Sequence, residues 1–241
     1  MAAVAVPAQA AHVRVTCRGI QEYSRFERAL SCDESNVLTD QDGRLVFGHT
    51  SAQADLARGT LAASASGGSV RDVGYNGGEA TALFKDEFAV EGAWQGEVPV
   101  TVSMWITYRF AGSGESRIHA SLGATASSGL IADDRAQIRL HHRGFNKATL
   151  QNVINDGGYR TPQNGSYPAQ STLVMSITEM VAFDSPRLIV RARVDSYALP
   201  NLDTINPSAA SLVDVRARIS VSLPEHLHLR SESESHPSGP H

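Results

Sequence analysis

The sequence predicts an all-β protein, an antiparallel β-sandwich of jelly-roll or immunoglobulin-like kind with one short N-terminal helix. Three observations carry this expectation. Between residues 98 and 110, Val98, Val100, Val102, Met104, Ile106, Tyr108 and Phe110 share one parity while Thr101, Ser103, Thr107 and Arg109 hold the other, the period of a half-buried strand. Near the C-terminus, Val213, Val215, Ala217, Ile219, Val221 and Leu223 alternate in the same way with Asp214, Arg216, Arg218, Ser220 and Ser222. Turn-forming clusters such as "TDQDGR", "GYNGGE", "NDGG", "PQNGSYP" and "LPNLDTINP" separate the runs, and the helices that a parallel sheet needs at its crossovers are absent from the pattern. A closed barrel satisfies the same periodicity and remains the alternative.

Taken in order, "HVRVTC" reads as a strand, and "GIQEYSRFERALSCD" as the helix. There Ile20, Tyr23, Phe26, Ala29 and Leu30 recur at three to four residues with charges between them. "RLVFG" is a further strand. The small-residue stretch "SAQADLARGTLAASASGG" first resembles a linker, yet Ala52, Ala54 and Leu56 share one parity and Ala57, Gly59, Leu61, Ala63 and Ala65 the other. A Gly/Ser linker has no reason to keep a period, so the expectation is one strand with a bulge near "LARG". "EATALFKDEFAVEG" is a strand. After the Gly-rich "AGSGES", Ile118, Ala120, Leu122, Ala124 and Ala126 alternate with Arg117, His119, Ser121 and Thr125, which predicts a hairpin with the 98–110 strand. "QIRLHH" and "STLVMSITEMV" follow, then Leu188, Val190, Ala192 and Val194 opposite Ile189, Arg191, Arg193 and Asp195. One domain over residues 11–229 is expected, with 1–10 as a signal-peptide remnant or disordered start and 230–241 as a disordered polar tail.

The 241 residues are 41% hydrophobic but only 6% aromatic, so the core must rest on Val, Leu, Ile and Ala. The formal net charge of -4 argues against nucleic acid as a partner. Only Lys85 and Lys147 of the 21 basic residues are lysines, a bias that genome composition explains without any special arginine chemistry. Cys17 and Cys32, the only cysteines, can close a small loop and would tie down both ends of the helix. The absence of Cys-x-x-Cys disfavours zinc ribbons and thioredoxin-type chemistry. Ala8, Gln9 and Ala10 give an A-x-A pattern that would make Ala11 the first mature residue, so a secreted or cell-surface location is expected. No run approaches the roughly 18 apolar residues of a membrane span.

"AQADLARGTLAASASGG", "ATALFKDEFAVEG" and "ASLVDVRARISVSLPEHLHLRSES" together resemble the body of bacterial exported proteins of the exosortase-sorted PEP-CTERM type. Ala54, Asp55, Leu56, Ala57, Gly59, Thr60 and Leu61 carry the first part of the resemblance, and Leu223, Pro224 and Glu225 the last. The Pro-Glu-Pro signal, its apolar helix and a terminal basic cluster are missing. The resemblance implies an exported β-rich protein of the envelope or matrix and no catalytic residues.

No G-x-S-x-G, G-x-x-x-x-G-K or H-E-x-x-H occurs, so no enzyme activity and no cofactor are expected. Of nine histidines, His226 and His228 share a strand face and His141, His142 and His236 could join them, but no carboxylate or cysteine completes a metal shell, and scattered surface histidines are the simpler reading. Asp40, Asp42 and Gly43 echo a calcium loop that lacks its closing Glu, and read better as a turn. Arg191, Arg193, Arg216 and Arg218 would form a basic stripe suited to acidic polysaccharide if their strands pair, with Asp195 and Asp214 as ordinary cross-strand partners in the competing reading. Trp105, on the polar parity of its strand, is the aromatic candidate for ligand contact; Trp94 and Tyr108 are too scattered to form a platform with it. Asn164 opens a formal glycosylation sequon that also serves as a turn. Two functions follow as expectations: an exported, non-enzymatic structural protein that self-associates through edge strands into homo-oligomers or filaments, or a carbohydrate-binding sandwich.

Overall fold

The fold is that of a computed structural model, which describes residues 12–18, 20–24, 29–39, 43, 45–70, 74–126, 135–143, 147–155, 163–199 and 208–231. Sixteen strands fill it. In chain order they are β1 (His12–Cys17), β2 (Ile20–Ser24), β3 (Ala29–Thr39), β4 (Leu45–Asp55), β5 (Thr60–Val70), β6 (Gly74–Asn76), β7 (Gly78–Glu91) and β8 (Glu97–Gly112). Then come β9 (Glu115–Thr125), β10 (Ala136–Arg143), β11 (Lys147–Asn155), β12 (Gly165–Pro168), β13 (Gln170–Ala182), β14 (Arg187–Leu199), β15 (Ser208–Ser222) and β16 (His228–Ser231). Two antiparallel sheets stack as a sandwich. Sheet A runs β12-β11-β10-β9-β14-β7-β1-β2, with β16 also on β7; sheet B runs β13-β8-β15-β5-β4-β3, with β6 on β5.

The alternation read from the sequence decides which side of each strand is buried. Val100, Val102, Met104, Ile106 and Tyr108 of β8, with Val213 and Val215 of its neighbour β15, face Ile118, Ala120, Leu122 and Ala124 of β9 and Leu188, Val190 and Val194 of β14 in one core. At roughly 25 cal/mol per Å² of apolar surface, this shared core is the main stabilising term. Near β1 the facing residues are small: Ala52 and Ala54 of β4 and Ala63 and Ala65 of β5 pack toward Ala80 and Ala82 of β7. There a disulfide joins Cys17 of β1 to Cys32 of β3 with a Cα–Cα distance of 6.1 Å, well inside the roughly 10 Å at which stacked sheets usually lie. The bridge therefore ties sheet to sheet.

The helix expected over residues 19–33 does not form where it is described. Ile20–Ser24 is β2, which folds back on β1 with Ile20 opposite Cys17, and Ala29–Thr39 is β3; residues 25–28 lie outside the described residues. Arg18, at φ 45°, makes the reversal. In β3, Leu30 and Cys32 are half-buried while Ala29, Ser31 and Asp33 are exposed, a period of two that the spacing of Ile20, Tyr23 and Phe26 masked. Ladder pairing to β1 and β4 outweighs local helical preference.

Two further expectations change. The 98–110 and 118–126 runs do not form a hairpin: β8 pairs with β13 and β15 in sheet B, whereas β9 pairs with β10 and β14 in sheet A. The Gly-rich "AGSGES" is a corner between sheets, so both strands still turn their apolar sides inward. The small-residue stretch is not one bulged strand but a hairpin of β4 and β5, with Ala52 opposite Ala63 and Ala54 opposite Leu61. Its phase shift is the turn 56–59, where the Arg58 amide donates to Asp55 Oδ1 at 3.1 Å and the Gly59 amide to the Leu56 carbonyl at 3.1 Å. Gly59 sits at φ +59°, and a Cβ there would lie 3.0 Å from the Ile219 carbonyl oxygen. Gly59→Ala is expected to cost about 1–2 kcal/mol in a urea unfolding curve, the usual cost of left-handed backbone for a residue with a Cβ; a loss under 0.5 kcal/mol would show that the turn relaxes freely.

Strand structure continues past residue 229. Arg230 and Ser231 belong to β16, and the Ser231 hydroxyl donates to Asp86 Oδ2 at 2.6 Å. Residues 1–10 and 232–241 lie outside the described residues, as do Asp40, Asp42 and His236.

Candidate functional site

Cross-strand register brings the sequence candidates together on one side of sheet B and separates them on the other. Trp105 of β8 lies opposite Arg218 of β15 and Val174 of β13, and Thr107 lies between Arg216 and Thr172. Since β14 is in sheet A and β15 in sheet B, the four arginines do not form a stripe: Arg216 and Arg218 share a face with Trp105, while Arg191 and Arg193 point from the opposite face of the sandwich.

Following the register across sheet B gives rows perpendicular to the strands. One runs Ser31, Gln53, Ala62, Arg216, Thr107, Thr172; its neighbour runs Asp33, Ser51, Ser64, Asp214 and on to Arg109. These rows, the second only as far as Asp214, line an open groove of about 1040 Å³ that crosses all six main strands, a width of about 24 Å at the usual strand spacing. Its floor is low because the small residues of β4 and β5 form it; its wall is Trp105, 41% exposed, with Arg216 and Arg218. Among the described residues Arg216, Arg218 and Asp214 make no ion pair, so their polar groups are available to a ligand. Two guanidinium groups against the carboxylates of Asp33 and Asp214 leave the groove near charge balance.

The outer face of sheet A is charged and more enclosed. Thr81, Asp195, His119 and Arg139 stand side by side on β7, β14, β9 and β10. Asp195 is fully buried, and it accepts hydrogen bonds from the Thr81 hydroxyl at 2.6 Å and Arg193 Nε at 2.8 Å, with His119 Nδ1 at 3.2 Å. Burial alone would raise its pKa, but the contacts from His119, Arg193 and Thr81 outweigh it and hold the carboxyl below its ordinary value. The remaining ring nitrogen of His119 lies 3.3 Å from Gln137 Oε1. Beside it is a recess of about 240 Å³ bounded by Arg117, His119, Arg139, Tyr197 and Leu199. Burial, then Asp195 and Glu79, push the Tyr197 hydroxyl up to about 12, so it stays neutral. Arg191 neighbours Lys85, whose pKa falls through burial and Arg191 while Glu87 opposes the change.

The histidines of the metal pattern are dispersed. His141 is on the outer side of β10 at 2.9 Å from Glu115, His142 turns inward and stacks on Phe110, and His228 pairs with Glu91. Among the described residues no group of three or more His, Cys, Asp or Glu is placed to hold a metal ion, and no helix is long and apolar enough to cross a membrane. Trp94 packs edge-on against Phe183, and Tyr108 is a core residue whose hydroxyl donates to the Pro168 carbonyl. The His119–Asp195 row escaped the sequence reading because its members come from strands 76 residues apart; the only trace was a His and an Asp on the polar parity of their strands. No family model matches the chain, and no curated protein matches it.

Proposed function

We propose that this protein is an exported, non-enzymatic polysaccharide-binding β-sandwich that lays an extended, hydroxyl-rich glycan across the outer face of sheet B. The observation that carries the reading is the groove: an exposed Trp105 beside Arg216 and Arg218, which make no ion pair among the described residues, over a trough of Ser, Thr, Gln and Ala that crosses the six main strands of the sheet. An aromatic ring stacks on a sugar face while planar guanidinium and carboxylate groups bond its hydroxyls. The near balance of Arg216 and Arg218 with Asp33 and Asp214 favours a neutral chain over the acidic polysaccharide that an arginine stripe would suit. The Cys17–Cys32 disulfide supports export, since such bridges persist in oxidising compartments; the likeness of its small-residue stretch to exosortase-sorted proteins points the same way.

A glycan array with the purified full chain tests this. Binding to a neutral polysaccharide is expected, and Trp105→Ala should weaken it at least tenfold, about 1.4 kcal/mol, as for a central aromatic contact. Stability should change by less than about 1 kcal/mol because the residue is on the surface. Unchanged binding by the variant, or no glycan retained by the wild type, overturns the reading.

A second reading, self-association, is favoured by the sheet B edges. Among the described residues, β13 pairs only with β8 and β3 only with β4, and Val174, Met180, Val37 and Phe47 are exposed on these strands or their partners. Unpaired edges invite strand addition. Sedimentation of the wild type as large species that Val174→Lys disperses would move the function to assembly.

A further inference from the structure

The recess on sheet A lies on the face opposite the sheet B groove and does not rest on the glycan reading. Its chemistry is different. Arg139, opposite His119 across the β9–β10 ladder, is exposed and makes no ion pair among the described residues. Arg117 donates to Glu115 Oε1, and that single carboxylate also faces His141. Among the described residues three carboxylates border the recess and each is engaged: Glu115 with Arg117 and His141, Glu79 with the Tyr197 hydroxyl, and Asp195, sealed beneath His119, with three contacts. None of them pairs with Arg139.

His119 is held in place rather than free. Asp195, itself fixed by Thr81 and Arg193, holds Nδ1, and Gln137 Oε1 holds the other ring nitrogen, so the imidazole is a fixed wall of the recess before any ligand arrives. Arg139 adds a planar fork suited to two oxygens of one acid group. Tyr197 and Leu199 supply an apolar wall. The volume, about 240 Å³, falls below the roughly 300–1,000 Å³ of pockets that enclose a whole ligand, so the recess takes one acidic group with the ring or chain that bears it, not a polymer segment.

We propose that this recess is an anion-binding site that holds one carboxylate or sulfate group, with Arg139 as the principal donor and the fixed His119 ring as the wall beside it. Amide NMR titration of the full chain with sodium glucuronate, sodium sulfate and glucose, against sodium chloride at matched ionic strength, tests it. Glucuronate and sulfate should each move resonances of β9 and β10 saturably, and glucose should not. Arg139→Gln should weaken both anions at least tenfold, while Arg216→Gln, on the other face, should leave them unchanged. Tighter glucuronate marks a sugar acid as the source, and tighter sulfate a free sulfate or sulfate ester. The proposal falls if neither anion saturates beyond the chloride control, or if Arg139→Gln titrates like the wild type.

Discussion

Replacing both Cys17 and Cys32 by alanine is expected to lower the free energy of unfolding by about 3 kcal/mol, the loop-closure value for a bridge of this span, since 15 residues separate the two cysteines. Alanine is the right replacement, because Cys17 is fully buried among apolar side chains and a serine would add a buried hydroxyl of its own. The position of the bridge matters as much as its span. It joins β1 of one sheet to β3 at the edge of the other, so its loss frees the edge where the facing residues, Ala52, Ala54, Ala80 and Ala82, bury little apolar area each. Urea unfolding of the wild type with and without reductant provides the control: reduction and the double substitution should lower the transition midpoint together. A change below about 1 kcal/mol in both would mean that the sheets hold without the bridge, and an unbridged mass under non-reducing conditions would remove the argument for export.

What could be read from the sequence and what could not divide along a physical line. Strand alternation is a local property, so the sides of β8, β9, β14 and β15 that face the core were legible residue by residue. Pairing is not local. The "AGSGES" turn reads as a hairpin in sequence because nothing in its composition distinguishes a reversal within a sheet from a corner between sheets; both use glycine, and both keep the apolar parity inward. The turn at Asp55–Gly59 shows the same ambiguity on a smaller scale, since a bulge and a four-residue turn both shift the phase by one.

The candidate site follows the same division. Trp105 was legible as an aromatic on the wrong parity, and it is the exposed wall of the groove. The arginine stripe was not, because it depended on β14 lying beside β15, and the two strands enter different sheets. The small-residue stretch gained a second meaning: its inward alanines let the sheets converge, and its outward Ser51, Ala62 and Ser64 form the groove floor. One composition serves packing on one side and ligand access on the other.

Asp195→Asn is expected to cost about 2–4 kcal/mol at neutral pH, the range for removing one partner from a buried, hydrogen-bonded charge cluster, taken toward its lower part because Arg193 and His119 are partly exposed. The substitution keeps the shape but brings an amide that cannot accept from Thr81, Arg193 and His119 at once. The pH dependence separates this loss from a packing defect. Folding holds the Asp195 carboxyl below its ordinary value of 3.8, so the folded state binds that proton more weakly than the unfolded chain. The contribution is therefore complete above about pH 5 and is lost as pH falls through the ordinary value toward the lower folded one. Urea curves at several pH values should show wild type and variant far apart at pH 7 and converging below about pH 4. A difference that stays constant down to pH 3 would assign the loss to packing and leave His119 without its anchor.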